Sequence, residues 1–324
     1  MNFKFFVLLL CIQIPLQAAV QDAITREVGV KTLVFRDDKQ HRPLIAEVFY
    51  PRVSGDKEKT TTDIFNRTQE ARDAPLLINK TKYPLIVVSH GQRGDRFSLA
   101  WLCSILADHG YIVASLDHFG ATWSNNNPEE AIKRWHRAED ISLLITFMLK
   151  DPVFGPHIDE KKIGMIGYSL GSLTGLWLAG GIASKYEKPS LATGQKIELE
   201  EGLREEVIDS LDISEAKKDH LDKRIKSFIL LAPVYSKAFD KSGLFRIKAP
   251  ILLIAAENDQ VALPKEAALF HEWIPTSSLI ILGKKSEHGL FLNKPEEDSL
   301  SLTDRFELQK TIVKETLKFF DQTL

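Results

Sequence analysis

Gly167-Tyr168-Ser169-Leu170-Gly171 lies between an apolar run, Ile163-Gly164-Met165-Ile166, and a helical pattern carrying Leu173-Thr174-Gly175-Leu176-Trp177. Glycines two positions either side of a serine permit a turn so sharp that the hydroxyl is held up at a helix N-terminus. A serine hydroxyl is a poor nucleophile until a base takes its proton, and the base needs an acid to orient it. Of the nine histidines, His288 in Ser286-Glu287-His288-Gly289 follows the last strand-like run and precedes the final helical pattern. The acid belongs beyond the preceding strand run, where Ile251-Leu252-Leu253-Ile254-Ala255-Ala256 leads into Glu257-Asn258-Asp259. Asp259 is the expected partner, and Glu257 is also within reach. Asp259 stands 90 residues after Ser169 and 29 before His288.

Attack by a hydroxyl on a carbonyl creates an oxyanion, which needs two aimed N–H donors. One is the N–H of Leu170, next to the nucleophile. The other belongs to the loop after the third strand, Ser89-His90-Gly91-Gln92-Arg93-Gly94, where Gly91 permits close approach and Gln92 supplies the N–H. His118, in Asp117-His118-Phe119-Gly120, also ends a strand run and is expected to wall the same crevice.

These residues need a scaffold that brings distant loops to one edge. Strand patterns fall at 30–35, 45–50, 85–89, 112–116, 163–168, 227–231, 251–255 and 279–282. Several are continuously apolar, as strands buried on both faces of a parallel sheet are. Helical patterns at 98–108, 129–149, 170–179, 265–273 and 304–320 alternate with them. That alternation predicts an α/β fold with an eight-stranded, mostly parallel sheet and helices on both faces. The first two strands follow one another directly and read as an antiparallel hairpin at one edge. Residues 52–83 read as a long polar surface loop. Residues 185–226, dense in charge but with Leu203, Val207 and Leu211 at helical spacing, read as a helical cap over the carboxyl edge.

The order His90-Gly91, Gly167 to Gly171, Asp259, His288 resembles the α/β-hydrolase superfamily. Within it the chain resembles the dienelactone-hydrolase-like and platelet-activating-factor-acetylhydrolase-like esterases. Supporting motifs are Glu47-Val48-Phe49-Tyr50-Pro51, Tyr83-Pro84-Leu85-Ile86-Val87-Val88-Ser89-His90-Gly91 and His109-Gly110-Tyr111-Ile112-Val113-Ala114. Trp135, Arg137 and Asp140, with Lys161-Lys162-Ile163-Gly164-Met165-Ile166-Gly167, complete them. The resemblance implies a serine esterase that uses neither cofactor nor metal. Arg93 stands where such proteins commonly carry a further glycine, Tyr168 where a histidine is usual, and Ser169 where true dienelactone hydrolases have cysteine.

Of the 324 residues, 44% are hydrophobic and 27% charged, which fits a folded globular chain and excludes wholesale disorder or fibres. The net charge of −2 gives no basic footprint for nucleic acid. At the N-terminus Lys4, the apolar run 5–12 and Leu16-Gln17-Ala18-Ala19 form a signal-peptide pattern over residues 1–18. Residues 19–324 would then form a single hydrolase domain, secreted or periplasmic, keeping only Cys103. The expected reaction is carboxylic ester cleavage through an acyl-serine, on a small-molecule or lipid ester. Activity should fall below about pH 6, where a histidine base takes up a proton. An acyltransferase or thioesterase would use the same three residues, and a non-catalytic binding protein on this fold would need none of them.

Overall fold

The computed structural model describes residues 27–39, 41–53, 61–62, 69–79, 81–189, 203–293 and 299–324. The signal-peptide reading of 1–18 and part of the cap reading, 190–202, lie outside them.

Apolar runs become strands wherever helices can cover both faces. In chain order the elements are β1 (Glu27–Asp37), β2 (Arg42–Arg52), β3 (Thr61–Thr62), β4 (Gln69–Arg72), β5 (Tyr83–Ser89), α1 (Ala100–Asp108), β6 (Ile112–Asp117), α2 (Pro128–Ala131) and α3 (His136–Lys150). They continue as β7 (Ile158–Tyr168), α4 (Leu170–Leu178), α5 (Glu205–Ser210), β8 (Ile225–Leu231), α6 (Lys241–Phe245), β9 (Ile251–Ala256), α7 (Pro264–Trp273), β10 (Ser277–Leu282) and α8 (Leu302–Thr323).

One sheet holds all the strands, in the order β10-β9-β8-β7-β5-β6-β2-β1-β4-β3. From β6 to β10 neighbouring strands run parallel, while β2 is antiparallel to both β1 and β6. The eight expected strands are all present. Two short ones extend the edge, so the sheet has ten strands among the described residues. They correct the reading of 52–83 as a plain surface loop: β4 pairs parallel with β1, and β3 pairs with β4. Ala71, Leu76 and Leu77 are buried there, and the Tyr50 and Tyr83 hydroxyls donate to Ala74 O at 2.6 Å and Leu77 O at 2.5 Å. Those bonds tie the segment down.

Side chains on one face of the sheet pack with α3, α4 and Phe270 of α7; those on the other pack with α1 and α8. The expected helix over 129–149 is interrupted. Asn127 caps α2 through bonds to the N–H groups of Glu129 and Glu130, and the chain then leaves the helix until His136. The break lets both Ile132 and Trp135 reach the core. Helix α8 starts on Ser301, whose hydroxyl accepts from Asp304 N–H at 3.1 Å. Its inward face is Leu308, Ile312 and Phe320.

Within 203–226, the chain runs along α3 and α4. Trp177 Nε1 donates to Ala216 O at 2.9 Å, and Arg224 donates to Thr146 Oγ1 and Ser142 O at 2.8 Å each. Among the described residues no helix is long and apolar enough to cross a membrane.

Candidate active site

Strand β7 ends at Tyr168 and α4 begins at Leu170, so Ser169 alone makes the turn. Its φ of +50° and ψ of −117° cost a non-glycine residue strain, which the surroundings hold in place. Ser169 N–H donates to Leu231 O at 2.9 Å, and Ser172 Oγ donates to Ser169 O at 2.5 Å. Ser172 Oγ also accepts from Val234 N–H at 3.1 Å. The turn is therefore pinned to β8 and to the loop beyond it.

The flanking glycines are steric requirements. A methyl on Gly167 would lie 2.2 Å from Gly171 O, and one on Gly171 would lie 2.0 Å from Ser89 O. Main chain meets main chain at both, so no side chain can yield. Gly171→Ala is expected to cost about 3 kcal/mol of stability, read as a lower urea midpoint; an unchanged midpoint would contradict this packing.

His288 opens a short turn, His288–Phe291, after β10. Its Nε2 lies 3.0 Å from Ser169 Oγ and its Nδ1 lies 2.7 Å from Asp259 Oδ2. Asp259 is fully buried beyond β9, and its Oδ1 accepts from Val261 N–H at 2.8 Å and Ala262 N–H at 2.7 Å. Glu257 is turned elsewhere, its Oε2 accepting from Lys285 N–H at 3.0 Å. Three distant residues thus form one relay, with Asp259 rather than Glu257 beside the imidazole. Sequence reasoning missed the role of Tyr168, whose hydroxyl donates to His288 O at 3.0 Å and whose ring lies 5.1 Å from the imidazole.

The loop after β5 passes beside Ser169. A methyl built on Gly91 would lie 3.3 Å from Ser169 Cβ and 3.0 Å from the Tyr168 ring, so any side chain there would crowd both. Gln92 follows directly. Leu170 is the first residue of α4, where main-chain N–H groups have no acceptor within the helix. Arg93 has a left-handed φ of +53°.

His118 corrects its expectation as pocket wall. It is 1% exposed, beneath the loop rather than facing the crevice. Its Nδ1 donates to Asp140 Oδ2 at 2.9 Å, and its Nε2 accepts from Ser89 Oγ at 2.9 Å. Arg42, from the β1–β2 hairpin, pairs with Asp140 Oδ1 at 3.0 Å and Asp37 Oδ2 at 2.8 Å. His118 N–H donates to His90 Nε2 at 3.3 Å, and His90 Nδ1 donates to Gly91 O at 2.6 Å. Arg137 Nη2 donates to His90 O.

This cluster couples stability to pH. Burial, then the Arg137 guanidinium, holds His90 and His118 well below the usual imidazole range. Burial pushes the Asp140 carboxyl up to about 7 against the pull of Arg42 and Arg137. Imidazoles that stay neutral when folded but charge when unfolded make the unfolded chain the proton-rich state, so stability falls on acidification below about pH 6.5. The raised carboxyl works the opposite way between about pH 7 and 4. Two imidazoles against one carboxyl leave the unfolded state one proton ahead. His136, shifted down, and Asp117, shifted up, oppose each other. Between about pH 6 and 5 the unfolding free energy should fall, measured by urea titration. A gain on acidification would contradict this.

The strand order, with the serine turn after β7 and the acid and histidine after β9 and β10, is that of the α/β-hydrolase fold. The chain's likenesses are to esterases and related hydrolases. The family model for platelet-activating factor acetylhydrolase, isoform II, matches residues 57–125. Dipeptidyl-peptidase 5 of Porphyromonas gingivalis is 24% identical over 242 residues, which cover 65% of this chain and 35% of that one. Cutinase est2 of Thermobifida alba is 28% identical over 91 residues, 28% of this chain and 27% of the cutinase. The chain thus spans about a third of the length of these curated relatives. A ferulic acid esterase from Streptomyces cinnamoneus matches in structure with a TM-score of 0.60 at 18% identity, covering 92% of this chain and 90% of that one.

Proposed function

We propose that this chain is a serine hydrolase that cleaves carboxylic esters through an acyl-serine intermediate. Ser169 Oγ passes its proton to His288 Nε2 as it attacks the carbonyl carbon. Asp259 holds the imidazole with Nδ1 protonated, so that Nε2 is free to accept. The N–H groups of Gln92 and Leu170 bind the oxyanion, His288 returns the proton to the departing alcohol, and water then releases the acid by the same steps. The observation that carries this reading is the relay of 3.0 Å and 2.7 Å joining Ser169, His288 and Asp259.

The proposed substrates are short-acyl or phospholipid esters, in keeping with the family match over 57–125. A chain-length series of p-nitrophenyl esters tests this, with highest kcat/KM expected for short acyl chains. A preference for dipeptide p-nitroanilides would instead point to the chemistry named for the Porphyromonas relative. Transfer of the acyl group to an added alcohol in preference to water would make the protein an acyltransferase. We further propose export with cleavage after Ala18, which N-terminal sequencing of the mature protein would test.

A further inference from the structure

The buried cluster under the oxyanion loop contains Ser89, His118 and Asp140 in the same hydrogen-bonding order as Ser169, His288 and Asp259. At 0%, 1% and 1% exposure these residues are closed to any substrate, so they are not a second active site. Their importance lies in what they hold. His118 main-chain N–H is an unambiguous donor and Gly91 O an unambiguous acceptor, and together they fix the His90 tautomer with Nε2 bare and Nδ1 protonated. The carbonyl gripped by Nδ1 belongs to the peptide joining Gly91 to Gln92. In a trans peptide the C=O and N–H point in opposite directions, so holding Gly91 O toward His90 aims Gln92 N–H the other way.

We propose that His118, Asp140 and Arg137 are positioning residues for the oxyanion donor, acting through His90 on the plane of the Gly91–Gln92 peptide. Asp140 anchors the His118 ring and is itself held by Arg42 from the hairpin edge. Ser89 locks the ring's far side, and Arg137 holds the His90 carbonyl. Gly91 O also accepts from Gly94 N–H at 3.2 Å within the loop. The other grips come from Ser89 at the end of β5, His118 just after β6, Arg137 and Asp140 on α3, and Arg42 on β2. The antiparallel edge of the sheet is therefore connected to the reaction centre.

The inference rests on the proposed role of Gln92. The test compares His118→Phe, His118→Asn and Ser89→Ala with wild type, each counted by fluorophosphonate titration of reactive sites. In His118→Phe, kcat per titrated site is expected to fall about tenfold or more, with KM within about twofold. The inhibition constant of a trifluoromethyl ketone, whose adduct carries an oxyanion, should weaken by the same factor. His118→Asn, which keeps a donor for Asp140, should recover most of both losses. Ser89→Ala should lose about threefold in each, and it decides the matter should His118→Phe not fold. Unchanged kcat per site and unchanged ketone binding, with only Tm lowered, would overturn the positioning role while leaving the hydrolase reading intact. A wild-type protein that the fluorophosphonate does not label would overturn both.

Discussion

Ser169→Ala is expected to remove ester hydrolysis, with a loss of about 10⁶-fold in kcat, while the protein stays folded. The substitution deletes the hydroxyl oxygen that lies 3.0 Å from His288 Nε2. It leaves the bonds that shape the turn, Ser169 N–H to Leu231 O and Ser172 Oγ to Ser169 O, because both use main chain at position 169. Alanine also keeps the Cβ already tolerated at this φ, so no new clash arises. Hydrolysis of p-nitrophenyl butyrate, labelling by a fluorophosphonate and thermal unfolding would be measured together. Turnover persisting at the wild-type rate would end the assignment of Ser169. A lost Tm would mean that the residue had been misread as dispensable to the fold.

The second large effect is expected from Asp259→Asn, a loss of about 10⁴-fold in kcat. An asparagine oxygen can keep accepting from the N–H groups of Val261 and Ala262, now at 2.8 and 2.7 Å, and those two bonds set the orientation of the amide. The amide NH₂ then faces His288 Nδ1, where the carboxylate oxygen had been. The imidazole must present a lone pair to it and move its proton to Nε2, so Nε2 can no longer accept from Ser169. The geometry stays while the base is lost. Near-normal Tm with kcat within tenfold of wild type would show that Asp259 does not govern the tautomer.

Much of this site could be read before any coordinates. Ser169, Asp259 and His288 each follow a continuously apolar run, and a parallel sheet puts the ends of such runs at one edge. The choice between Glu257 and Asp259 could not be made that way, since both carboxylates follow the same strand in turn-forming surroundings. It depended on which one turned inward to the N–H groups of Val261 and Ala262. Strand β4 was illegible for a different reason. Gln-Glu-Ala-Arg carries no apolar alternation, and its pairing with Val28 to Val30 is dictated by a neighbour far away in sequence. The helix break before His136 escaped because the apolar spacing runs on through Ile132 and Trp135. His118 and Asp140 are 22 residues apart on different elements, so their bond is a product of tertiary packing alone.

The strained backbone at Ser169 has a consequence for laboratory evolution. Glycine would relax that φ of +50° and remove about 1–2 kcal/mol of steric cost, partly offset by its greater freedom when unfolded. Variants picked for heat resistance alone would thus be rewarded for discarding the proposed nucleophile. Libraries built on this scaffold need a turnover readout at every round.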